Sequence, residues 1–417
     1  MPALKQQEKR LNGTLLSEKK SLREVYLDHA ATTYVDRAVF MAMAPYFSEY
    51  FGNPSSLYRL GREARGVMEK SRAEVAEILG AEPDEIVFTG SGTEADNLAV
   101  TGVARAYKSS GKHIIVSSIE HHAVLESSEK MKKEGFEVTI VGVNADGTIK
   151  MDELRKSLRQ DTTLVSIMYA NNEIGTIEPI REIADLIKDF RIKNGRNPFS
   201  ALPVFHTDAC QAAGALPLNV DKLGIDLMTL NGGKIYGPKG VGCLYRRKWV
   251  KLDPHIVGGG QEKNIRSGTE SVALIVGFAK ALSLAVRNAD KENMRLKTIR
   301  DYFIDLLISS IPRTTLNGHP DKRLPNNVNI SIFGIEGESM VLALDALGIS
   351  VSTGSACAAR SLLPSHVLLA IGLSPELAHG SLRMTLGRKT TKADVDRVMK
   401  VLPDVVEKLR RISPIRL

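Results

Sequence analysis

Cysteine is scarce in this chain: 417 residues contain three, Cys210, Cys243 and Cys357. That is too few for a disulfide framework, and it points to a reducing compartment, the cytoplasm. Long apolar runs are missing too, none approaching the ~20 residues that a membrane span requires. The start, Met1-Pro-Ala-Leu-Lys-Gln-Gln-Glu-Lys-Arg10, has no apolar signal core and carries Glu8, so neither secretion nor organelle import is expected. Internal repeats and low-complexity tracts are absent. The net charge of +8 arises from 56 Lys and Arg against 48 Asp and Glu. The two signs are interspersed, which favours a mixed, solvated surface with mildly basic ends over a nucleic-acid face. With 43% hydrophobic and 25% charged residues, this is an ordinary globular chain, long enough for a large domain and a smaller one.

Apolar runs alternate with amphipathic stretches. Ile86 to Thr89, His113 to Ser117, Val138 to Val141, Thr163 to Met168, Val204 to Thr207, Leu227 to Leu230 and Val241 to Tyr245 read as strands. Intervening stretches such as His122 to Glu134 and Ile180 to Lys193 read as helices. The pattern predicts an α/β fold with a mostly parallel, helix-covered, seven-stranded sheet. Ligands of such sheets sit beyond the carboxyl ends of the strands, where Thr89, Asp208 and the residues after Leu230 fall. The large domain is expected over 39–285. A smaller α+β domain takes 25–38 and 286–417, entered through the charged helical stretch around Asp290 to Leu296. Residues 1–24 form a basic extension, and the turn-rich stretch from Lys193 to Pro203 reads as an added surface loop.

Three motifs carry the chemistry. In Asn231-Gly-Gly-Lys-Ile-Tyr-Gly-Pro-Lys-Gly240, glycines fix Lys234 just past an apolar strand, where its amine can form a Schiff base. Alone, Lys234 would read as a solvated loop lysine. Asp208, in His206-Thr-Asp-Ala-Cys-Gln211, closes the neighbouring strand. A lysine and an aspartate so placed suit pyridoxal phosphate, the Lys binding the aldehyde and the Asp holding the ring nitrogen protonated. In Ile86-Val-Phe-Thr-Gly-Ser-Gly-Thr-Glu-Ala-Asp-Asn97, a strand runs through glycines into a helix from Glu94 to Tyr107. The N–H groups of Gly92 and Thr93 then face a phosphate at a helix N-terminus. A glycine turn alone is a weak signal, but the three motifs in this order are a strong one. The large domain is thus expected to bind pyridoxal phosphate, in the manner of a fold-type I transferase.

The carboxyl-terminal half narrows the reading. Val351-Ser-Thr-Gly-Ser-Ala-Cys-Ala-Ala-Arg360 sets Cys357 among small residues that allow exposure and movement, as a sulfur acceptor needs. Cys210 and Cys243, at a strand end and within a strand, read as small buried hydrophobes. With Glu120-His-His-Ala-Val124, Ala170-Asn-Asn-Glu-Ile-Gly175, Arg266-Ser-Gly-Thr269 and Ser381-Leu-Arg-Met-Thr-Leu-Gly-Arg388, the chain resembles the cysteine desulfurases from about Tyr26 to Pro414. The match is closest to their nitrogen-fixation and iron-sulfur-assembly branch.

That resemblance implies conversion of L-cysteine to L-alanine, with the sulfur held on Cys357 as a persulfide and passed to an acceptor protein such as an iron-sulfur scaffold. It implies that His121 stacks on the cofactor ring and shuttles protons, with His122 facing elsewhere. Asn172 would bond the ring hydroxyl and contact substrate, Gln211 would touch the same region, and Arg383 would clamp the substrate carboxylate. An alternating, strand-like run leaves Arg383 open to a surface ion pair instead. Thr269 would reach the phosphate of a neighbouring subunit, making a homodimer. The resemblance calls for no metal.

One departure matters: relatives place Ser-x-His before the lysine to bind phosphate, whereas this chain has Asn231 and Gly233. Asn231 can donate from its amide; Gly233 has no side chain. The chain also stops soon after Pro414, short of the tail with which some relatives dock a scaffold. A selenocysteine lyase, a related aminotransferase, or a weakly active scaffold subunit of this fold are the alternatives.

Overall fold

A computed structural model of the chain describes residues 23–354 and 363–413. Strand β1 (Val25–Tyr26) leads into a seven-stranded sheet made of β2 (Ile86–Thr89), β3 (His113–Ser117), β4 (Glu137–Val141), β5 (Thr162–Ser166), β6 (Val204–Asp208), β7 (Leu227–Asn231) and β8 (Gly242–Arg246). The order across it is β2-β8-β7-β6-β5-β3-β4. β8 runs antiparallel to both neighbours and the other pairs are parallel, so the mostly parallel sheet expected from the sequence is present. Strand ends move by one or two residues. The largest change is at β5, which stops at Ser166 because Met168 N leaves the ladder to bond Glu120 Oε1 at 2.8 Å.

Continuous apolar runs build this sheet because both faces are covered. Successive side chains point to opposite sides. Phe88, Ile115, Val165, Phe205 and Tyr245 join one core with the helices Arg59–Leu79, Ile180–Lys193 and Val272–Arg287. Val87, Ile114, Leu164, Val204 and Leu244 join the other, against Gly92–Ala106 and His122–Lys133. The reversed strand β8 still alternates, with Cys243 and Tyr245 on one face and Leu244 on the other. No single helix among the described residues is long and apolar enough to cross a membrane.

A second core forms on a three-stranded antiparallel sheet of β9 (Thr314–Leu316), β10 (Asn327–Ile332) and β12 (Ser381–Thr385), in the order β12-β10-β9. Val328, Ile330, Leu382 and Met384 pack there on Phe303 and Leu307 of Ala289–Ser310 and on Val395, Val398 and Leu402 of Lys392–Ile412. β1 pairs with β11 (Ile349–Ser350), and Val25 and Leu27 enter this core. The stretch from Lys193 to Pro203 lacks helix and strand beyond its first residue. It is nonetheless tied down, since Arg191 donates to Pro198 O and Pro203 O at 2.9 and 2.6 Å.

One buried ion pair fixes a strained turn at the sheet's edge. Glu262, Lys263 and Asn264 all have positive φ (43°, 59° and 63°), a conformation costly to residues with a Cβ. Arg72 holds the turn with a two-pronged contact to Glu262 at 2.6 and 2.8 Å, and Glu262 also accepts from Phe88 N at 2.9 Å. Both charged side chains are under 5% exposed. Removing one partner strands the other, so Glu262→Ala is expected to cost about 3–5 kcal/mol of unfolding free energy. Glu63→Ala, which breaks the exposed Arg59–Glu63 pair, should cost below about 0.5 kcal/mol. Urea midpoints of the two variants check this; equal shifts would refute it.

Candidate active site

The carboxyl edge of the large sheet gathers most of the expected residues. β7 ends at Asn231, whose Oδ1 accepts from Gly233 N at 3.0 Å and closes a tight turn over Gly232–Lys234. Lys234 Nζ donates to the carbonyls of Ala30 and Ala31 at 2.8 and 2.6 Å. Those carbonyls hold the amine of this half-buried side chain in place.

Beside it, β2 turns through Gly90 and Ser91 into the helix Gly92–Ala106. Ser91 Oγ accepts from Glu94 N at 3.0 Å, capping the helix. Helical geometry leaves the N–H groups of Gly92 and Thr93 at its open end, where the dipole favours an anion. Gly92 is required there: a Cβ would stand 2.8 Å from Cys210 Sγ and 3.4 Å from Asn231 Nδ2. Because Asn231 Oδ1 is engaged, its amide N–H groups face this same corner.

A cavity of about 300 Å³ joins these residues to His121, Asn172, Asp208, Gln211 and Arg383. Asp208 is 6% exposed, and its Oδ1 accepts from Cys210 N at 2.9 Å. Gln211 Nε2 donates to Ala30 O at 3.0 Å. His121 caps the helix His122–Lys133, its Nδ1 accepting from Ala123 N at 3.1 Å. That bond puts the proton of the neutral ring on Nε2, and burial lowers its pKa further below the ordinary value. His121 is therefore neutral at pH 7.

Arg383 settles between its two readings. It lies on β12, 2% exposed, in the cavity wall. It makes an ion pair, but a buried one, with Nη2 on Asp28 Oδ1 at 2.9 Å. Nη1 reaches Asn172 O at 3.2 Å and Gly354 O at 3.3 Å.

Some expectations are corrected. His122 lines the cavity together with His121, its ring 4.8 Å from that of His366. The rule that neighbours face apart fails across a helix cap, because the cap residue has extended backbone and the next is already helical. Thr269, expected to serve a neighbouring subunit, lies outside this chain's own cavity, in a separate cleft with Arg266 and Glu262, so that expectation is not among those corrected. Cys357 lies outside the described residues. Cys210 and Cys243 are buried free thiols whose pKa values burial drives up, as suits apolar packing and not nucleophiles.

Sequence reasoning missed Asp28, Asp96, Glu120 and His366. Asp96 had a signal: four residues after Gly92, it shares the cradle's helix face. Glu120 is fully buried, with Oε1 accepting from Ser117 Oγ and Met168 N, and burial lifts its pKa to about 8.

The donor set fits pyridoxal phosphate: a side-chain-free cradle at a helix N-terminus, a buried carboxylate at the foot, and an aimed lysine amine between them. The model of the family described as "Aminotransferase class-V" matches residues 25–398. "Cysteine desulfurase IscS" of Dictyoglomus turgidum is 52% identical over 392 residues, covering 94% of this chain and 97% of that protein. The protein of the same name from Methanosarcina thermophila is 51% identical, covering 94% of each. A solved "NifS-like protein" superposes with a TM-score of 0.85 at 36% identity, over 93% of this chain and 100% of that one.

Gly233 has room for a side chain. The nearest atoms to a Cβ there would be Asn231 Oδ1, Lys239 Cγ and Thr32 Oγ1, at 3.6, 3.7 and 3.8 Å, ordinary contact distances. A histidine at this position would supply a charge-assisted bond to the phosphate, of a kind worth about 1.5–3 kcal/mol. Gly233→His is expected to hold pyridoxal phosphate at least about tenfold more tightly in equilibrium dialysis. Equal retention would mean that another group already makes that contact.

Proposed function

Because the chain belongs to the class-V aminotransferase family, we infer that its cavity works as the active site of a pyridoxal phosphate-dependent cysteine desulfurase, converting L-cysteine to L-alanine for iron-sulfur assembly. The observation that carries the reading is the convergence of Lys234, Asp208 and the Gly92 cradle on one cavity walled by Arg383.

Gly92, Thr93 and Asn231 hold the phosphate, Asp208 the ring nitrogen, His121 the ring face, and Asn172 and Gln211 the ring hydroxyl side. The bound cofactor supplies an aldehyde that captures amines and a ring that withdraws electrons from the substrate α-carbon. Lys234 would hold the aldehyde through its amine, and the same amine would remove and return the substrate α-proton. Arg383 orients the substrate carboxylate through its fork, while Asp28 fixes the guanidinium from behind. The thiolate of Cys357 attacks the substrate sulfur, so that an S–S bond forms as the C–S bond breaks. To His121, with its proton on Nε2, we assign protonation of the carbon that becomes the alanine methyl.

A homodimer is the proposed state. Phe40, Met41, Phe47, Phe51, Leu57 and Tyr58 are each more than half exposed, an apolar face that a partner would cover. Thr269 is displaced from its own cavity, as a group serving a neighbouring subunit would be. We place the enzyme in the cytoplasm, where its free thiols persist, and assign its sulfur to an acceptor protein. The domain division at 39–285 against 25–38 and 286–417 is likewise our reading, supported by the separate core on the three-stranded sheet.

Purified enzyme given cysteine alone, without a 2-oxo acid, is expected to release alanine and acquire one extra sulfur on the peptide containing Cys357. Cys357→Ser should still bind cysteine but release almost no sulfide, serine being a far poorer sulfur acceptor. Alanine formation that requires a 2-oxo acid would instead mean transamination. Persulfide found on Cys210 or Cys243 would refute the role of Cys357.

A further inference from the structure

Asp96 lies one turn into the helix Gly92–Ala106 and lines the cofactor cavity, though nothing so far gives it a task. It is 1% exposed, and its Oδ1 has no hydrogen-bond partner. An ionised carboxylate oxygen left bare in a closed site loses its hydration without replacement, at a cost of several kcal/mol for a charged group. A protonated carboxyl changes that oxygen into a donor.

The surroundings favour the proton. Asp208 faces Asp96 from β6 and Glu120 from the turn after β3, both acids; the Thr229 hydroxyl, bonding its carboxyl from β7, acts the other way but is outweighed. The imidazole of His206 is close by, with Nε2 3.8 Å from Oδ1. That ring is spent on Ser166 Oγ at 2.8 Å and Thr229 Oγ1 at 3.1 Å, and burial brings its pKa down to about 4, so it offers no charge. Lys234 donates to Ala30 and Ala31. Burial first, and Asp208 second, raise the Asp96 pKa well above the usual carboxylate range.

We propose that Asp96 is a positioning residue for the ring-nitrogen site: it carries a proton beside Asp208, so that it adds no second negative charge next to the carboxyl that would hold the cofactor's ring nitrogen. The charge at the foot of the cavity is thus limited before cofactor or substrate arrives. The proposal rests on the reading of the cavity as the pyridoxal phosphate site.

Cofactor-free protein provides a test independent of turnover. A proton held in the folded state above the unfolded pKa contributes stability that is full below about pH 4 and is lost as pH rises towards the folded pKa. Asp96→Asn keeps the shape and cannot ionise. Between pH 5 and 7, the folding equilibrium constant of wild type should therefore fall relative to that of the variant by up to about tenfold per pH unit, measured by urea unfolding. Parallel curves would overturn the proposal.

Should Asp96→Asn fail to fold, infrared spectroscopy of wild type at pH 7 with isotope-labelled aspartate decides. A protonated-carboxyl band that moves with the label and persists in Asp226→Asn supports Asp96, since Glu120 and the other buried glutamates stay unlabelled and Asp226 is another buried aspartate whose pKa burial raises. A band that does not move overturns it. If added pyridoxal phosphate gives no visible absorbance, the cofactor reading fails while the result on cofactor-free protein stands. Parallel unfolding curves in a protein that does show the absorbance sink only the role of Asp96.

Discussion

Four consecutive carbonyls, from Asn172 to Gly175, are each taken by a donor from the smaller sheet and the loop leading into it, and this docking gives the cavity its second wall. Arg383 Nη1 reaches Asn172 O, the amides of Asn327 and Asn329 both reach Glu173 O at 3.0 Å, Arg323 Nη2 reaches Ile174 O at 2.8 Å, and Leu324 N reaches Gly175 O at 2.8 Å. Gly175 is indispensable to the fit: at φ 75°, a Cβ there would sit 2.7 Å from the Asn327 side chain. The arrangement carries a cost. Arg323 is 3% exposed with Nε and Nη1 unpartnered, and burial together with the nearby Arg300 brings its pKa down to about 9. Its return is positional, since the strand that carries Arg383 and the loop that carries Asn172 are set against the edge that carries Lys234.

The same logic of hydrogen bonds spent on position runs through the other wall. Lys234 is aimed by two carbonyls, Asn231 by its own turn, His121 by the N–H it caps, and Arg383 by Asp28. Each bond uses one part of a side chain and leaves another part facing the cavity: the Asn231 amide nitrogen, the His121 Nε2. Preorganisation of this kind lowers what must be ordered when ligand binds. It also explains why the buried thiols of Cys210 and Cys243 stay out of the chemistry. Each is enclosed where burial outweighs the nearby cation, Lys234 for Cys210 and Arg72 for Cys243, whereas sulfur transfer needs a thiol able to ionise.

Much of this was legible in the sequence because the signals were local. Apolar runs of strand length marked the sheet, the glycine-rich turns marked the cradle and the lysine, and the order of Gly92, Asp208 and Lys234 along the chain marked the chemistry. What escaped was set by contacts distant in sequence. Glu120 meets Met168, His122 meets His366, and Arg383 meets Asp28 across 355 residues, pairings that no local pattern announces. Asp96 fell between: its helix face was readable, but its closure against Asp208 and Thr229 was not. The exchange of a phosphate-binding histidine for Gly233 was visible in the sequence. Only the structure shows that a Cβ at this position would meet its neighbours at ordinary contact distances, none under 3.6 Å.

The central claim is that the amine of Lys234 and the cradle at Gly92 hold one molecule of pyridoxal phosphate. Borohydride reduction of the cofactor-loaded protein, followed by proteolysis and mass spectrometry, tests it most directly, because reduction fixes the cofactor to whichever amine carries it. The account predicts a pyridoxyl group on the peptide containing Lys234, with the label abolished by Lys234→Ala. A label that stays on the neighbouring Lys239, or that spreads over surface lysines in the variant as in wild type, would contradict it.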